Sequence, residues 1–101
     1  MQLSIIIVNY KMRGLVKNCI KALFASQINF DYEVLVVDNG SNDDVGKMLQ
    51  EKYPNVKFIG LENNLGMGAA NNVGIKEAKG KYVLILNPDI HVFEDSVQKL
   101  H

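Results

Sequence analysis

At 101 residues, 48% hydrophobic and 22% charged, the chain has the makeup of one globular domain. Such a domain buries roughly two thirds of its unfolded surface, so it needs neither disulfides nor a structural metal. Eleven basic residues balance eleven acidic ones and no Lys/Arg cluster stands out, which argues against nonspecific nucleic-acid binding and against an anionic-membrane patch; Cys19 is the only cysteine, which rules out an internal disulfide and fits a reducing compartment.

Residues 3–8 form a continuous apolar run rich in β-branched side chains, the pattern of a strand buried on both faces of a parallel sheet. The run is too short to span a membrane, and no basic region or cleavage site flanks it. The expected location is cytoplasmic, with membrane association left open for a longer protein. Leu15, Val16, Cys19, Ile20, Leu23 and Phe24 then recur at helical spacing, giving one amphipathic helix with Cys19 on its core face.

Residues 33–37 read as a second buried strand, running into the turn residues Asp38-Asn39-Gly40-Ser41. Asn42, Asp43 and Asp44 are expected to open a short helix through about Lys52, its first-turn acids complementing the helix dipole. Pro54-Asn55 ends it, and residues 56–59 form a third, short strand. After the loop Asn63-Asn64-Leu65-Gly66, a third helix is expected over about residues 67–78, with Gly80 beyond it. Residues 82–86 form a fourth buried strand running into Asn87-Pro88-Asp89, and a last helix is expected near Glu94.

Strands alternating with helices imply right-handed parallel crossovers and a Rossmann-like α/β sheet of order 3-2-1-4, the first strand central. Ligands of such sheets bind at the carboxyl ends of the strands. That makes Asn9-Tyr10-Lys11, Asp38-Asn39-Gly40-Ser41 and Asn87-Pro88-Asp89 the candidate site. The fourth strand is an apolar sheet edge in this layout, a hazard for aggregation. Further strands of a longer protein, or a partner chain, are therefore expected beside it.

Asp38 offers a carboxylate acceptor that matches the N3–H of uracil or thymine; the same position suits a cap of the following loop or helix. Asn39 and Ser41 can add hydrogen bonds to base or ribose. Asp89 can hold Mg²⁺ or Mn²⁺ bridging a diphosphate, or serve Asn-Pro-Asp as a turn. Tyr10 can pack on a base, and Lys11 can meet a phosphate or stand solvated. Gly66 and Gly68 can present backbone N–H groups to an anion, while Ala69, Ala70 and Gly74 suit close packing of helix on sheet. Of the amides Asn71 and Asn72, at least one is expected to face a polar ligand. His91 is a weaker metal candidate. No Gly-x-Gly-x-x-Gly follows the first strand, which argues against dinucleotide binding, and no P-loop is present.

Together these segments resemble the amino-terminal half of the inverting GT-A glycosyltransferases of family 2. The resemblance is carried by Ser4-Ile5-Ile6-Ile7-Val8-Asn9-Tyr10, by Val36-Val37-Asp38-Asn39-Gly40-Ser41, by the loop and helix from Asn63 to Ile75, and by Leu84-Ile85-Leu86-Asn87-Pro88-Asp89. It implies a GT-A nucleotide-diphospho-sugar transferase fold, truncated here, with residues 1–101 forming the nucleotide-sugar-binding part of one domain. It implies that Asp38 binds the pyrimidine, that the main chain after the first strand contacts the nucleoside, and that Asp89 holds a divalent metal, Mn²⁺ or Mg²⁺. With the residue readings above, Asn9, Tyr10, Asn39, Ser41, Asn71 and Asn72 are expected to line the nucleotide site.

The implied reaction moves a hexose, with inversion, from a UDP- or dTDP-sugar to a hydroxyl of a glycan or lipid-linked acceptor in polysaccharide biosynthesis. Three departures from the family pattern stand out. Asn87 replaces the first Asp of Asp-x-Asp. Asn71 replaces an Arg that many members use on the nucleotide; Asn9-Tyr10, Asn71-Asn72 and Asn87-Pro88-Asp89 together are similar to the rhamnosyltransferase-like branch. The family's general base lies in the second half of the domain, so no residue here is assigned to it and this portion alone is expected to be inactive. The alternatives are a non-catalytic nucleotide-binding or assembly module that forms a homodimer through the fourth strand, and an unrelated doubly wound regulatory domain without nucleotide affinity.

Overall fold

The structure, a computed structural model, describes residues 2–26, 28–29, 31–86 and 88. The helix expected near Glu94 falls outside them, as do Asn87, Asp89 and His91. The described elements run β1 (Leu3–Asn9), α1 (Arg13–Ala25), β2 (Tyr32–Asp38), α2 (Val45–Lys52), β3 (Lys57–Gly60), α3 (Met67–Glu77) and β4 (Tyr82–Leu86). The sheet is wholly parallel, in the order β3-β2-β1-β4 expected from the alternation of elements.

Alternation along β1 divides the core in two, because successive side chains leave a strand on opposite faces. Leu3, Ile5 and Ile7 join Val34 and Val36 beneath Val16, Cys19, Ile20 and Leu23 of α1 and Val45 and Leu49 of α2. Ile6 and Val8 join Leu35 and Val37 beneath Ala70 of α3. Each fully buried Val, Leu or Ile contributes on the order of 1.5–3 kcal/mol, so these two layers dominate the stability of the domain. Burial pushes the Cys19 thiol up to about 11, as befits a core residue.

The apolar face of α1 is narrower than its spacing suggested. Leu15 and Phe24 are exposed, Phe24 tilting against the rings of Tyr32 and Tyr53 at the rim. α2 starts at Val45, with no acid in its first turn. Asn42 and Asp44 instead take left-handed backbone angles, φ 54° and 62°, which Asn and Asp tolerate better than most residues. In α3 the small residues do bring helix and sheet together at Ala70 and Gly74. A Cβ on Gly74 would stand 2.7 Å from Ile6 Cγ2. Ala69, also expected in that contact, is exposed.

β4 has the expected bounds but not the expected burial. Leu84 and Leu86 pack against the α1 side, while Val83 and Ile85 on the other face are exposed, α3 packing mainly on β1 and β2. Among the described residues no helix is long and apolar enough to cross a membrane.

Candidate functional site

β1, β2 and β3 end level with one another, Asn9 opposite Asp38 and Asp38 opposite Gly60. β-pairing therefore brings a residue from the start of the chain beside one 29 positions later. Asn9 is wholly buried and Asp38 is 9% exposed. A buried amide and a buried carboxylate are tolerable only when hydrogen-bonded, and here each serves the other.

The Asn9 side chain is the hub. Its Oδ1 accepts the Met12 backbone N–H at 3.0 Å, which turns the chain into α1. Its Nδ2 donates toward Asp38 Oδ1 at 3.0 Å, Ser41 Oγ at 3.1 Å and Asp43 Oδ2 at 3.2 Å. The Ser41 hydroxyl donates to Asp38 Oδ1, with Asp43 Oδ1 also in reach at 3.0 Å. Asp43 Oδ1 further accepts the Val45 N–H at 3.3 Å, at the start of α2. Among the described residues these donors meet Asp38 at Oδ1, and none meets Oδ2.

Asn39 turns the other way. Its Nδ2 donates to Asn64 Oδ1 at 3.0 Å and its Oδ1 accepts the Leu65 N–H at 2.9 Å. Both functional groups of Asn39 thus clamp the Asn63–Asn64–Leu65 loop. Gly40 makes the clamp possible. Its φ is +77°, and a Cβ there would stand 2.6 Å from the Asn63 carbonyl carbon and 2.8 Å from the Asn64 nitrogen. Gly66 N–H is taken by Asn64 Oδ1 at 2.8 Å, so it is not free for an anion.

Tyr10 is exposed beyond Asn9, with the Lys11 ammonium 5.3 Å from its ring centre. Lys11 itself adopts φ 57°. On α3, Asn72 is exposed, whereas Asn71 is partly buried and its Oδ1 is buried with no hydrogen-bond partner. An unsatisfied buried acceptor costs about 1–3 kcal/mol, and a donor from outside the chain would relieve it. Asp89 and Asn87 lie outside the described residues, and among those described no group of three or more His, Cys, Asp or Glu side chains gathers for a metal.

The structure thus joins Asn9, Asp38 and Ser41 in one network, sets Asn39 in a second one beside it, and leaves Tyr10 and Asn72 at the surface. Asp43 and Asn64 escaped the sequence reading. The only signal for Asp43 was its place two residues after Ser41 between Asn42 and Asp44, both suited to left-handed turns. An apolar groove of about 290 Å³ between α2 and β3, lined by Leu49, Pro54, Val56 and Phe58, touches none of these residues.

Comparison with known proteins places these features in context. The model of the family described as Glycosyl transferase family 2 matches residues 4–101. A poly(ribitol-phosphate) beta-glucosyltransferase of Bacillus spizizenii is 33% identical over 102 residues, covering 96% of this chain and 16% of the relative. S. aureus TarS 1-349, solved in complex with UDP-GlcNAc, superposes with a TM-score of 0.84 at 29% identity, over 99% of this chain and 30% of that one. The mannosyltransferase PcManGT of Pyrobaculum calidifontis, in complex with GDP-Man and Mn²⁺, shares the fold at a TM-score of 0.81 and 21% identity, over 96% of this chain and 30% of that one. The chain spans under a third of the length of the curated relatives it matches.

Proposed function

The chain belongs to glycosyl transferase family 2, and from that premise we propose that residues 1–101 are the donor-binding portion of an inverting hexosyltransferase using a UDP- or dTDP-sugar. The acceptor is a hydroxyl of a glycan or of a lipid-linked chain, reached from the cytoplasm. The observation that carries this reading is the state of Asp38. Its carboxylate is nearly buried at the carboxyl end of β2, pinned through Oδ1 by Asn9 and Ser41, with Oδ2 unclaimed among the described residues. A uracil or thymine N3–H supplies the missing donor.

Tyr10, exposed at the same end of the sheet, offers a face on which the base can stack. Asn71 offers an acceptor that lacks a donor. Asn9, Ser41 and Asn39 act from within: the first two hold Asp38, and Asn39 holds the loop that leads into α3. Asp89 is the residue we assign to the divalent cation, which when bound would offset the charge that grows on the leaving diphosphate. Inverting transfer also needs a base opposite the leaving group, and no described residue is assigned to it.

Calorimetric titration of this chain with UDP and dTDP, each with and without Mn²⁺, tests the reading. Binding that strengthens with metal is expected, and the tighter ligand identifies the base. Absence of binding by folded protein would overturn donor recognition by this portion. Asp38→Ala should abolish nucleoside binding with the fold intact, whereas Asp89→Ala should remove only the metal dependence.

The exposed Val83 and Ile85 on β4 favour a second reading, an assembly module whose edge strand pairs with another copy. Gel filtration separates the two: a strictly monomeric, soluble chain counts against it.

A further inference from the structure

Two carboxylates, Asp38 and Asp43, draw on very few hydrogens at the carboxyl end of the sheet. Asn9 Nδ2 brings two and Ser41 Oγ one, and both donor atoms lie within bonding distance of both acids. The amide is planar, so fixing the direction of one Nδ2 hydrogen fixes the other. Asp43 stands 3.2 and 3.3 Å from Nδ2 through its two oxygens, while Asp38 meets it through Oδ1 alone. Asp43 is itself held by the Val45 N–H at Oδ1, between the left-handed residues Asn42 and Asp44.

We propose that Asp43 is a positioning residue for base recognition by Asp38. The inference rests on the donor-site reading above. By taking one Asn9 hydrogen, Asp43 leaves the other to Asp38 Oδ1 and to Ser41 Oγ, which itself donates to that same oxygen. Without Asp43 the released Asn9 hydrogen and the Ser41 hydroxyl have only Asp38 as a carboxylate acceptor within reach. Its carboxylate then turns to accept on both oxygens, and Oδ2 is no longer presented to a ligand. Asp43 therefore governs the discrimination for a base N3–H, not the affinity for the diphosphate.

The test compares UDP with N3-methyl-UDP, which keeps the ring, ribose and diphosphate but lacks the N3–H. Calorimetry on the wild-type chain should show UDP bound roughly 10- to 100-fold more tightly, the range for a hydrogen bond to a charged acceptor. In Asp43→Ala the preference should fall to within about 3-fold, with N3-methyl-UDP binding unchanged; a merely structural defect would weaken both ligands together. Asp43→Asn keeps an acceptor oxygen for Asn9 and should fall in between. A full wild-type preference in Asp43→Ala overturns the proposal and leaves the donor-site reading standing. Should the alanine variant not fold, a full preference in Asp43→Asn overturns it alone. No preference in the wild type would instead overturn base recognition by Asp38, and this inference with it.

Discussion

The β1–β2 ladder carries a polar pair near each end, and the two pairs do different things. At the amino end Ser4 lies opposite Glu33; at the carboxyl end Asn9 lies opposite Asp38. Ser4 Oγ donates to Glu33 Oε2 at 2.5 Å, and the remaining partners are backbone: Lys79 N–H to Glu33 at 2.7 Å and Gly80 N–H to Ser4 at 2.7 Å. That pair fastens a stretch of chain, the turn that leads into β4. At the carboxyl end the partners of Asp38 are the side chains of Asn9 and Ser41, which meet it at a single oxygen. That pair fastens a side chain. The Glu33 carboxylate thus holds backbone, whereas that of Asp38 is held by side chains.

Each end also has a glycine where a side chain would strike backbone, and exchanging the two is the harshest test of the comparison. Gly40→Ala forces a left-handed alanine into the Asn63–Asn64 backbone. It should cost about 3 kcal/mol or more in a urea titration and abolish UDP binding. Gly80→Ala places a Cβ 2.5 Å from the Ser4 nitrogen and should cost about 1–3 kcal/mol while sparing UDP affinity in the folded fraction. Equal loss of binding in both variants would mean that the ends are not functionally separate.

A gentler test uses pH. Burial tends to raise the Glu33 pKa, but the Ser4 hydroxyl, the Lys79 N–H and the charges of Lys57 and Lys79 outweigh it and hold the carboxyl below its ordinary 4.5. The stability it adds is therefore complete above the unfolded value near 4.5 and is lost as pH falls through the lower folded value. Glu33→Gln should lower stability by about 1 kcal/mol at neutral pH, reduced by solvent screening, and flatten the acid limb of the melting profile. A profile that keeps its acid limb would show that Glu33 is not the tether.

The smallest effect is expected at Asp44, which is left-handed and makes no side-chain cap to α2. Asp44→Gly should leave stability within about 0.5 kcal/mol of wild type, on the stabilising side, by thermal melt. A clear loss would assign its side chain a role that its geometry does not suggest.

The architecture was legible because its signals are local. Apolar runs with β-branched residues gave the strands, β4 to the residue, and their alternation with helices gave the sheet order. The errors came where a local signal was ambiguous. Asn42, Asp43 and Asp44 suit a helix start and a left-handed turn equally, and the turn prevailed. Val83 and Ile85 read as buried because apolar residues in a strand usually are, but α3 packs mainly on β1 and β2 and both stay exposed.

By itself, then, the sequence determined the order of elements and the parallel sheet, which follow from periodicity and neighbouring residues, and the family, which its motifs resemble. Only the tertiary structure decided which polar side chain serves which. Asn39 and Ser41 look alike as candidates, yet one clamps the loop at Asn64 and Leu65 and the other braces Asp38. Asp43 joined the site because Ser41 and Asn9, the latter 34 residues away, both reach it. Hydrogen-bond partners are chosen by position in space, and strand register sets that position.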